Sequence, residues 1–222
     1  MKQLEKTGIY QKSNKVYTIN PEQCKNIKVY GENLRNIKGI QYRLWNPFRS
    51  KLAAVLSKKQ IIFPFKHSTT ILYLGAATGT TVSHLSDICI KGWIYAVEPS
   101  PVAAKTLMTL INQRRNIIPI IEDANHPDRY NHFISQRVDF VYQDISQRNQ
   151  AEILAKNATQ FLKKKGQGIL MVKARSIDVG MKPADTYDLV KNQLIDFGLK
   201  INDVIELSPY KKDHAAILIE NK

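Results

Sequence analysis

The sequence predicts an α/β fold, in which a seven-stranded, mostly parallel sheet ends in an antiparallel hairpin and follows a small antiparallel β subdomain. From Thr69 onward, near-continuous apolar runs alternate with segments of helical periodicity, as in parallel strands buried on both faces. Only residues 208–214 separate the last two runs, which is too short for a crossover helix, so these strands must pair antiparallel. Before Thr69, short β-type runs alternate with turn residues.

These patterns divide the chain into a β subdomain over residues 1–48 and an α/β domain over residues 49–222. In the α/β domain, a helical spacing over Arg49–Lys58 places Lys51 in the first turn of a helix. Two runs of the subdomain have strand character: Lys15–Ile19 and Ile27–Tyr30. The strands predicted for the large sheet are Thr70–Gly75, Trp93–Glu98, Ile117–Glu122, Val138–Asp144, Gly168–Lys173, Ile201–Leu207 and Ala215–Glu220. The helices predicted between them are Thr80–Cys89, Pro101–Arg115, His126–Ser135, Asn149–Lys164 and Ala184–Phe197.

Composition and charge narrow the possible functions. The chain has 222 residues and a net charge of +14, and residues 1–68 hold 14 lysines and arginines against 3 glutamates. This distribution favours a polyanionic partner, with nucleic acid the first candidate, although the charge can also serve solubility alone. No apolar run approaches the roughly 18 residues of a membrane helix, and Met1–Tyr10 lacks a secretory signal. We therefore expect a soluble intracellular protein without membrane contact.

The cysteines and histidines give no sign of a metal or disulfide framework. Cys24 and Cys89 are too few for a disulfide scaffold, and no Cys/His cluster has metal-ligand spacing. We therefore expect free thiols and no bound metal.

A glycine-containing turn follows the first strand of the predicted large sheet. Gly75 and Gly79 allow the backbone to turn tightly and to approach a ligand, and a helix then begins at Thr80 with free N–H groups. The next strand ends in Glu98, where a carboxylate can accept hydrogen bonds from a ribose diol. Together these features indicate an adenosine-containing ligand.

NAD and S-adenosylmethionine both contain adenosine, so the later strand ends must discriminate between them. Asp123 follows the third strand and can accept from an adenine amine, while the fourth strand ends in Asp144, with Gln147 just beyond. An additional acid suits a cationic sulfonium better than a pyrophosphate. We therefore expect S-adenosylmethionine bound to a Rossmann-like class I methyltransferase fold, with an NAD-dependent oxidoreductase as the alternative.

Several uncommon strings, in order and at family spacing, resemble fibrillarin. They are Ile71–His84, Tyr95–Glu98, Asn116–Pro119, Glu122–Pro127, and Tyr210 with Asp213–Ala215. The similarity extends from about Tyr42 to the C-terminus. The resemblance implies an S-adenosylmethionine-dependent RNA ribose 2′-O-methyltransferase that acts on rRNA or tRNA within a box C/D ribonucleoprotein. It also implies three kinds of partner: guide and substrate RNA, a Nop-family scaffold protein, and a kink-turn-binding ribosomal-type protein.

The resemblance assigns residues to roles. The family's catalytic Lys-Asp-Lys-His set corresponds here to Lys51, Asp144, Lys173 and His214. The residues expected at the methyl donor are Gly75, Ala77, Thr80, Thr81, Glu98, Pro99, Asp123, Ala124, Asp144 and Gln147. The residues expected to contact RNA are Arg43, Arg49, Lys51 and Arg175.

In the resulting mechanism, a ribose oxygen attacks the sulfonium methyl group. Lys173 deprotonates or orients the 2′-hydroxyl, Asp144 positions it, and Lys51 and His214 hold the nucleotide. Each residue also has an ordinary interpretation: Lys51 can begin a solvated helix, Asp144 can cap a helix, and His214 can be a hairpin residue without a partner.

Two features depart from the family pattern. Pro99 stands where the family commonly has an aromatic residue that packs on adenine, so an RNA-binding scaffold with a weak or vestigial donor site is a second hypothesis. The Gly/Arg-rich tail of eukaryotic members is also absent. The chain thus resembles the archaeal form, for which we expect a cytoplasmic location; a eukaryotic source would instead imply the nucleolus.

Overall fold

The computed structural model describes residues 1–4, 7–58 and 65–222, and it contains two sheets. A five-stranded antiparallel sheet has the order β1-β2-β3-β5-β4. Its strands are β1 (Lys2–Leu4), β2 (Ile9–Lys12), β3 (Lys15–Ile19), β4 (Leu34–Ile37) and β5 (Ile40–Trp45). Ser13 and Asn14 both have positive φ, 48° and 57°, as a tight turn between twisted antiparallel strands requires.

The second sheet has seven strands in the order β11-β12-β10-β9-β6-β7-β8. In chain order, the elements of this region are α1 (Lys51–Lys58), β6 (Ile71–Leu74), α2 (Thr80–Ile88), β7 (Ile94–Val97), α3 (Pro101–Ile111), β8 (Ile117–Ile120), β9 (Val138–Gln143), α4 (Gln150–Phe161), β10 (Leu162–Lys173), α5 (Ala174–Ile177), α6 (Pro183–Asp196), β11 (Lys200–Glu206) and β12 (His214–Glu220). Strands β6 to β10 pair in parallel, whereas β12 pairs antiparallel with both β10 and β11. The predicted sheet with its terminal hairpin and the N-terminal antiparallel sheet are confirmed.

Three local predictions are wrong. Ile27–Tyr30 is not a strand, because the backbone N–H groups of Val29 and Tyr30 donate to the Glu32 carboxylate instead of to a neighbouring strand. His126–Ser135 is not a helix but two single 3₁₀ turns, Pro127–Arg129 and Asn131–Phe133. The buried Tyr130 lies between these turns and donates its hydroxyl hydrogen to Asn157, which holds the chain against α4.

The third wrong prediction is the boundary between α4 and β10. The predicted helix Asn149–Lys164 ends at Phe161, and the strand begins at Leu162 rather than at Gly168. The extra strand residues are accommodated by an irregularity in the pairing of β10 with β9 between Leu162 and Gln167.

A buried histidine on α2 joins this helix to the N-terminal sheet. The His84 ring stacks on Trp45 of β5 with centroids 4.8 Å apart, and its two nitrogens lie 2.8 Å from the hydroxyls of Thr18 and Tyr30. Burial lowers the pKa of His84 well below its usual value, and the charge of Arg43 lowers it further, so the ring is neutral at pH 7. Since only residues 46–50 separate β5 from α1, this anchoring also positions the start of α1.

The part of the chain that the structure describes contains no helix that is both long and apolar enough to cross a bilayer.

Candidate active site

The turn after β6 lies in close contact with the ends of the two neighbouring strands, β7 and β9. Gly75 has a φ of +82°, and its N–H donates to the Val97 carbonyl at 2.9 Å. A Cβ atom at Gly75 would lie 2.4 Å from the carbonyl oxygen of Asp144, closer than non-bonded atoms approach. Glycine is therefore required both for the left-handed backbone and for the contact between this turn and the end of β9.

We expect Gly75→Ala to destabilise the fold more than Gly31→Ala. Both glycines have a φ of +82°, but nothing lies within 4 Å of a Cβ atom at Gly31. The left-handed backbone costs each alanine variant about 1 kcal/mol, and the clash with Asp144 costs Gly75→Ala roughly 1–3 kcal/mol more. Urea unfolding of the two variants measures the difference. Equal losses of stability would show that the close contact is not required.

The remainder of the turn leads into α2. Ala77 is exposed and has a φ of 47°, and Gly79, with a φ of 87°, precedes the first helical residue, Thr80. The first N–H groups of a helix lack partners within the helix and carry partial positive charge. Thr81 is buried and its hydroxyl lies 2.9 Å from the Ser50 hydroxyl, which joins the start of α2 to the residue before α1.

Glu98 directly follows β7 and is nearly buried, at 9% exposure. One carboxylate oxygen accepts from the Ala77 N–H at 2.8 Å and the other from the Ser100 N–H at 3.0 Å. These bonds fix the carboxylate between the glycine turn and the start of α3. Each carboxylate oxygen has a second lone pair, so Glu98 can still accept from a diol. Pro99 is exposed beside it.

A polar cluster follows β8 and β9 at the same edge of the sheet. Asp123 accepts from the backbone and side-chain N–H groups of Asn125, both at 2.9 Å, and the Asn125 amide also donates to Gln147 at 2.9 Å. Burial raises the pKa of Asp123, but the bonds from Asn125 outweigh it and leave the pKa lowered. Ala124 is buried beneath the cluster. Asp123 and Gln147 are thus joined through Asn125, a residue that the sequence did not single out.

Lys51 and Asp144 form an ion pair across the same edge. Lys51 is the first residue of α1, and its Nζ donates to Oδ1 of Asp144, which follows β9. The backbone N–H of Asp144 donates to the Leu74 carbonyl at 2.9 Å, which places the pair beside the glycine turn. The two side chains are 15% and 22% exposed, so they remain accessible to a ligand.

Lys173 and His214 lie directly opposite each other on β10 and β12. Paired positions of antiparallel strands present their side chains on the same face of the sheet. The His214 Nδ1 lies 2.6 Å from the Lys212 carbonyl and is therefore the protonated nitrogen, which leaves Nε2 as an acceptor. Burial lowers the pKa of His214, and the charges of Lys51 and Lys173 lower it further, against the opposing bond to Lys212 and the charge of Asp144.

The structure therefore brings the four predicted catalytic residues to one edge of the sheet: Lys51 pairs with Asp144 after β9, and Lys173 and His214 lie opposite each other on the adjacent strands β10 and β12. It adds a cation that the sequence did not predict: the Nζ of Lys211 donates to the Phe48 carbonyl at 2.7 Å, between the β11–β12 loop and α1. In the described ranges, no group of three or more His, Cys, Asp or Glu side chains is arranged to hold a metal ion.

The residues expected to contact RNA have different environments. Arg49 is exposed and its guanidinium lies 6.0 Å from the centre of the Tyr30 ring. Arg175 is also exposed, and its Nε lies 3.1 Å from the carboxylate of Asp213. Both can reach a ligand from solvent.

The expectation that Arg43 contacts RNA is wrong. Its side chain is fully buried, where it donates to Glu32 at 2.7 Å, to Ser83 at 2.9 Å and to Asp87. These three partners satisfy the guanidinium and exclude it from solvent. Arg43 therefore links the N-terminal sheet to α2 and has no access to a nucleic acid.

Comparison with known proteins identifies the family to which the chain belongs. The fibrillarin family model matches residues 2–222. A relative from Methanocaldococcus jannaschii, named fibrillarin-like rRNA/tRNA 2′-O-methyltransferase, is 46% identical over 187 residues, which cover 84% of this chain and 81% of the relative. The crystal structure of Aeropyrum pernix fibrillarin with natively bound S-adenosyl-L-methionine has a TM-score of 0.84 at 44% identity, over 92% of this chain and 88% of that one.

A second similar structure comes from a complex of fibrillarin with Nop5p. It has a TM-score of 0.87 and 41% identity, and the match covers 97% of this chain and 98% of that chain. The fold and most of the length of the chain are therefore shared with these proteins. The chain belongs to the fibrillarin family.

Proposed function

We propose that this chain is an S-adenosylmethionine-dependent RNA ribose 2′-O-methyltransferase. The observation that carries the proposal is the meeting of Lys51, Asp144, Lys173 and His214 beside the glycine turn. The M. jannaschii relative is named for this activity, and the A. pernix relative binds the methyl donor. These similarities favour a methyltransferase over an NAD-dependent oxidoreductase.

The residues at the carboxyl edge of the sheet fit the methyl donor. The turn at Gly75 leaves no room for a side chain, Glu98 retains acceptor capacity for ribose hydroxyls, and the ionised Asp123 can accept from the adenine amine. Ala77 lies in the same turn, Thr80 begins α2, and Gln147 follows β9 at the same edge of the sheet. Pro99 offers only an apolar surface where an aromatic ring would stack. When bound, S-adenosylmethionine supplies an electrophilic methyl group.

The four catalytic side chains position the ribose. Lys173 orients the 2′-hydroxyl or accepts its proton as the oxygen is methylated. The Lys51–Asp144 pair holds the nucleotide beside the glycine turn, and the neutral His214 offers Nε2 as an acceptor. The main contribution of this geometry is to hold two reactants in one orientation, which lowers the entropic part of the barrier.

We further propose that a guide RNA selects the nucleotide. Arg49, Lys51 and Arg175 are cations, and phosphate contacts position an RNA without reading its sequence. The complex of a 41% identical fibrillarin with Nop5p supports a Nop-family scaffold for this chain. A kink-turn-binding protein would complete the guide-RNA complex, as the family resemblance implies.

Reconstitution tests the proposed function. The chain alone is titrated with S-adenosylmethionine by calorimetry, and it is then assembled with guide RNA, a Nop-family scaffold and a kink-turn-binding protein. We expect donor binding by the chain alone, weak RNA modification by the chain alone, and 2′-O-methylation of the guided nucleotide by the assembly. Site-specific methylation by the pure chain would refute guide dependence, and failure to bind the donor would favour the scaffold hypothesis.

A further inference from the structure

Positive charge exceeds negative charge at the candidate active site. Arg49, Lys51 and Asp144 all act electrostatically on Lys211, and Lys173 acts on the neighbouring His214. The carboxylate of Asp144 is already bound to Lys51. Within this group of described residues, one carboxylate, Asp144, accompanies four cations: Arg49, Lys51, Lys173 and Lys211.

The ammonium of Lys211 is held in a fixed position within this cluster. Its Nζ donates to the Phe48 carbonyl at 2.7 Å, and its backbone N–H donates to the Leu207 carbonyl at 3.0 Å. The neighbouring Tyr210 ring packs edge-on against Phe48 with centroids 5.3 Å apart. An ammonium has three N–H donors, and the Phe48 carbonyl takes one of them, so Lys211 can also donate to a ligand.

The surroundings of Lys211 favour an anionic ligand. Burial lowers the pKa of Lys211, and the charges of Lys51 and Arg49 lower it further, while Asp144 opposes them. An anion beside the ammonium would offset this repulsion. The methyl donor carries a positive charge at its sulfur, so it is a poor candidate for that anion, whereas RNA carries one phosphate per nucleotide.

We propose that Lys211 binds a phosphate of the substrate RNA strand beside the ribose that is methylated. The Phe48 carbonyl holds the ammonium in place, and Arg49, the next residue after Phe48, adds positive charge that acts on Lys211. The proposal rests on the proposed function in naming RNA as the substrate. Lys211 is thus a positioning residue for the RNA and does not itself act on the reacting oxygen.

Lys211→Gln and Lys212→Gln form a matched pair for the test. Each removes one positive charge from the same loop, but the Lys212 side chain is exposed and only its main-chain carbonyl contacts the site. Binding of a fluorescein-labelled substrate oligoribonucleotide to the assembled guide complex is measured at several salt concentrations. We expect Lys211→Gln to weaken RNA binding by about three- to tenfold and to reduce the salt slope by about one.

The same measurements include donor titration, thermal melting and Lys211→Arg. We expect unchanged donor affinity in Lys211→Gln, less than a twofold effect on RNA affinity in Lys212→Gln, and near wild-type RNA binding in Lys211→Arg. Equal RNA affinity and salt slope in the two glutamine variants would overturn the assignment of Lys211. Because binding is measured without catalysis, that result is distinguishable from failure of the proposed function, in which the wild-type assembly methylates no ribose.

Discussion

Lys173→Met is expected to lower the single-turnover rate of methyl transfer by about 10²- to 10⁴-fold, the usual contribution of a positioned acid–base group. Lys173 ends β10 opposite His214, and the variant keeps an apolar stem but loses the amine that we propose orients or deprotonates the 2′-hydroxyl. Donor affinity should remain within about twofold of wild type, because the donor residues lie on other strand ends. Rapid-quench methylation by the assembled complex measures the rate.

Two further variants control this experiment. Lys12→Met removes an exposed lysine on β2 and should leave the rate unchanged. Lys173→Arg retains the charge but cannot accept a proton near neutral pH. A wild-type rate and pH profile in Lys173→Arg would eliminate the role of Lys173 as a base and leave orientation as its function. A wild-type rate in Lys173→Met would eliminate both roles.

Arg43→Met is expected to lower the free energy of unfolding by about 3–5 kcal/mol, the usual loss when one partner of a buried ion pair is removed. Arg43 is fully buried between Glu32 and Asp87, and Asp87 retains a second partner in Arg114 at 2.8 Å. Glu32 would be left as a buried carboxylate without its arginine. Urea unfolding at neutral pH measures the loss.

The pH dependence of this loss identifies its electrostatic origin. Burial raises the pKa of Glu32, but Arg43 and backbone N–H groups outweigh it, so the pKa is lowered in the folded protein. The stability that this carboxylate contributes is complete above its ordinary pKa of about 4.5 and is lost as the pH falls through the lowered value. The difference in free energy of unfolding between wild type and Arg43→Met should therefore become smaller in acid. Arg35→Met, at an exposed position on β4, should change stability by less than about 0.5 kcal/mol.

The parallel sheet was predictable because its strands are continuous apolar runs. Their ends then defined the edge along which Glu98, Asp144 and Lys173 lie, since parallel strands align their carboxyl ends. His214 followed from the antiparallel return of the last strand. Lys51 was harder to place, because its position depends on the ion pair with Asp144, a contact between residues 93 positions apart in sequence.

The remaining sites depend on contacts that leave little trace in the sequence. Arg43 lies among polar and aromatic strand residues, so the sequence suggests that it belongs to a basic surface. Its buried partner, Asp87, is 44 residues away on α2 and could not be predicted from the sequence. Lys211 bonds to a main-chain carbonyl, and any residue type supplies a carbonyl. Ile27–Tyr30 has strand composition, but the Glu32 carboxylate accepts hydrogen bonds from the backbone N–H groups of Val29 and Tyr30.

Replacement of the target nucleotide by its 2′-deoxy analogue tests most directly whether these residues act on a ribose oxygen. The assembled complex is given labelled S-adenosylmethionine and two substrate RNAs that differ only in that one hydroxyl. We expect label in the 2′-hydroxyl RNA alone, recovered after nuclease digestion as the 2′-O-methylated nucleoside. Equal labelling of the 2′-deoxy RNA would show that the methyl group goes to another atom and would contradict the function assigned to Lys51, Asp144, Lys173 and His214.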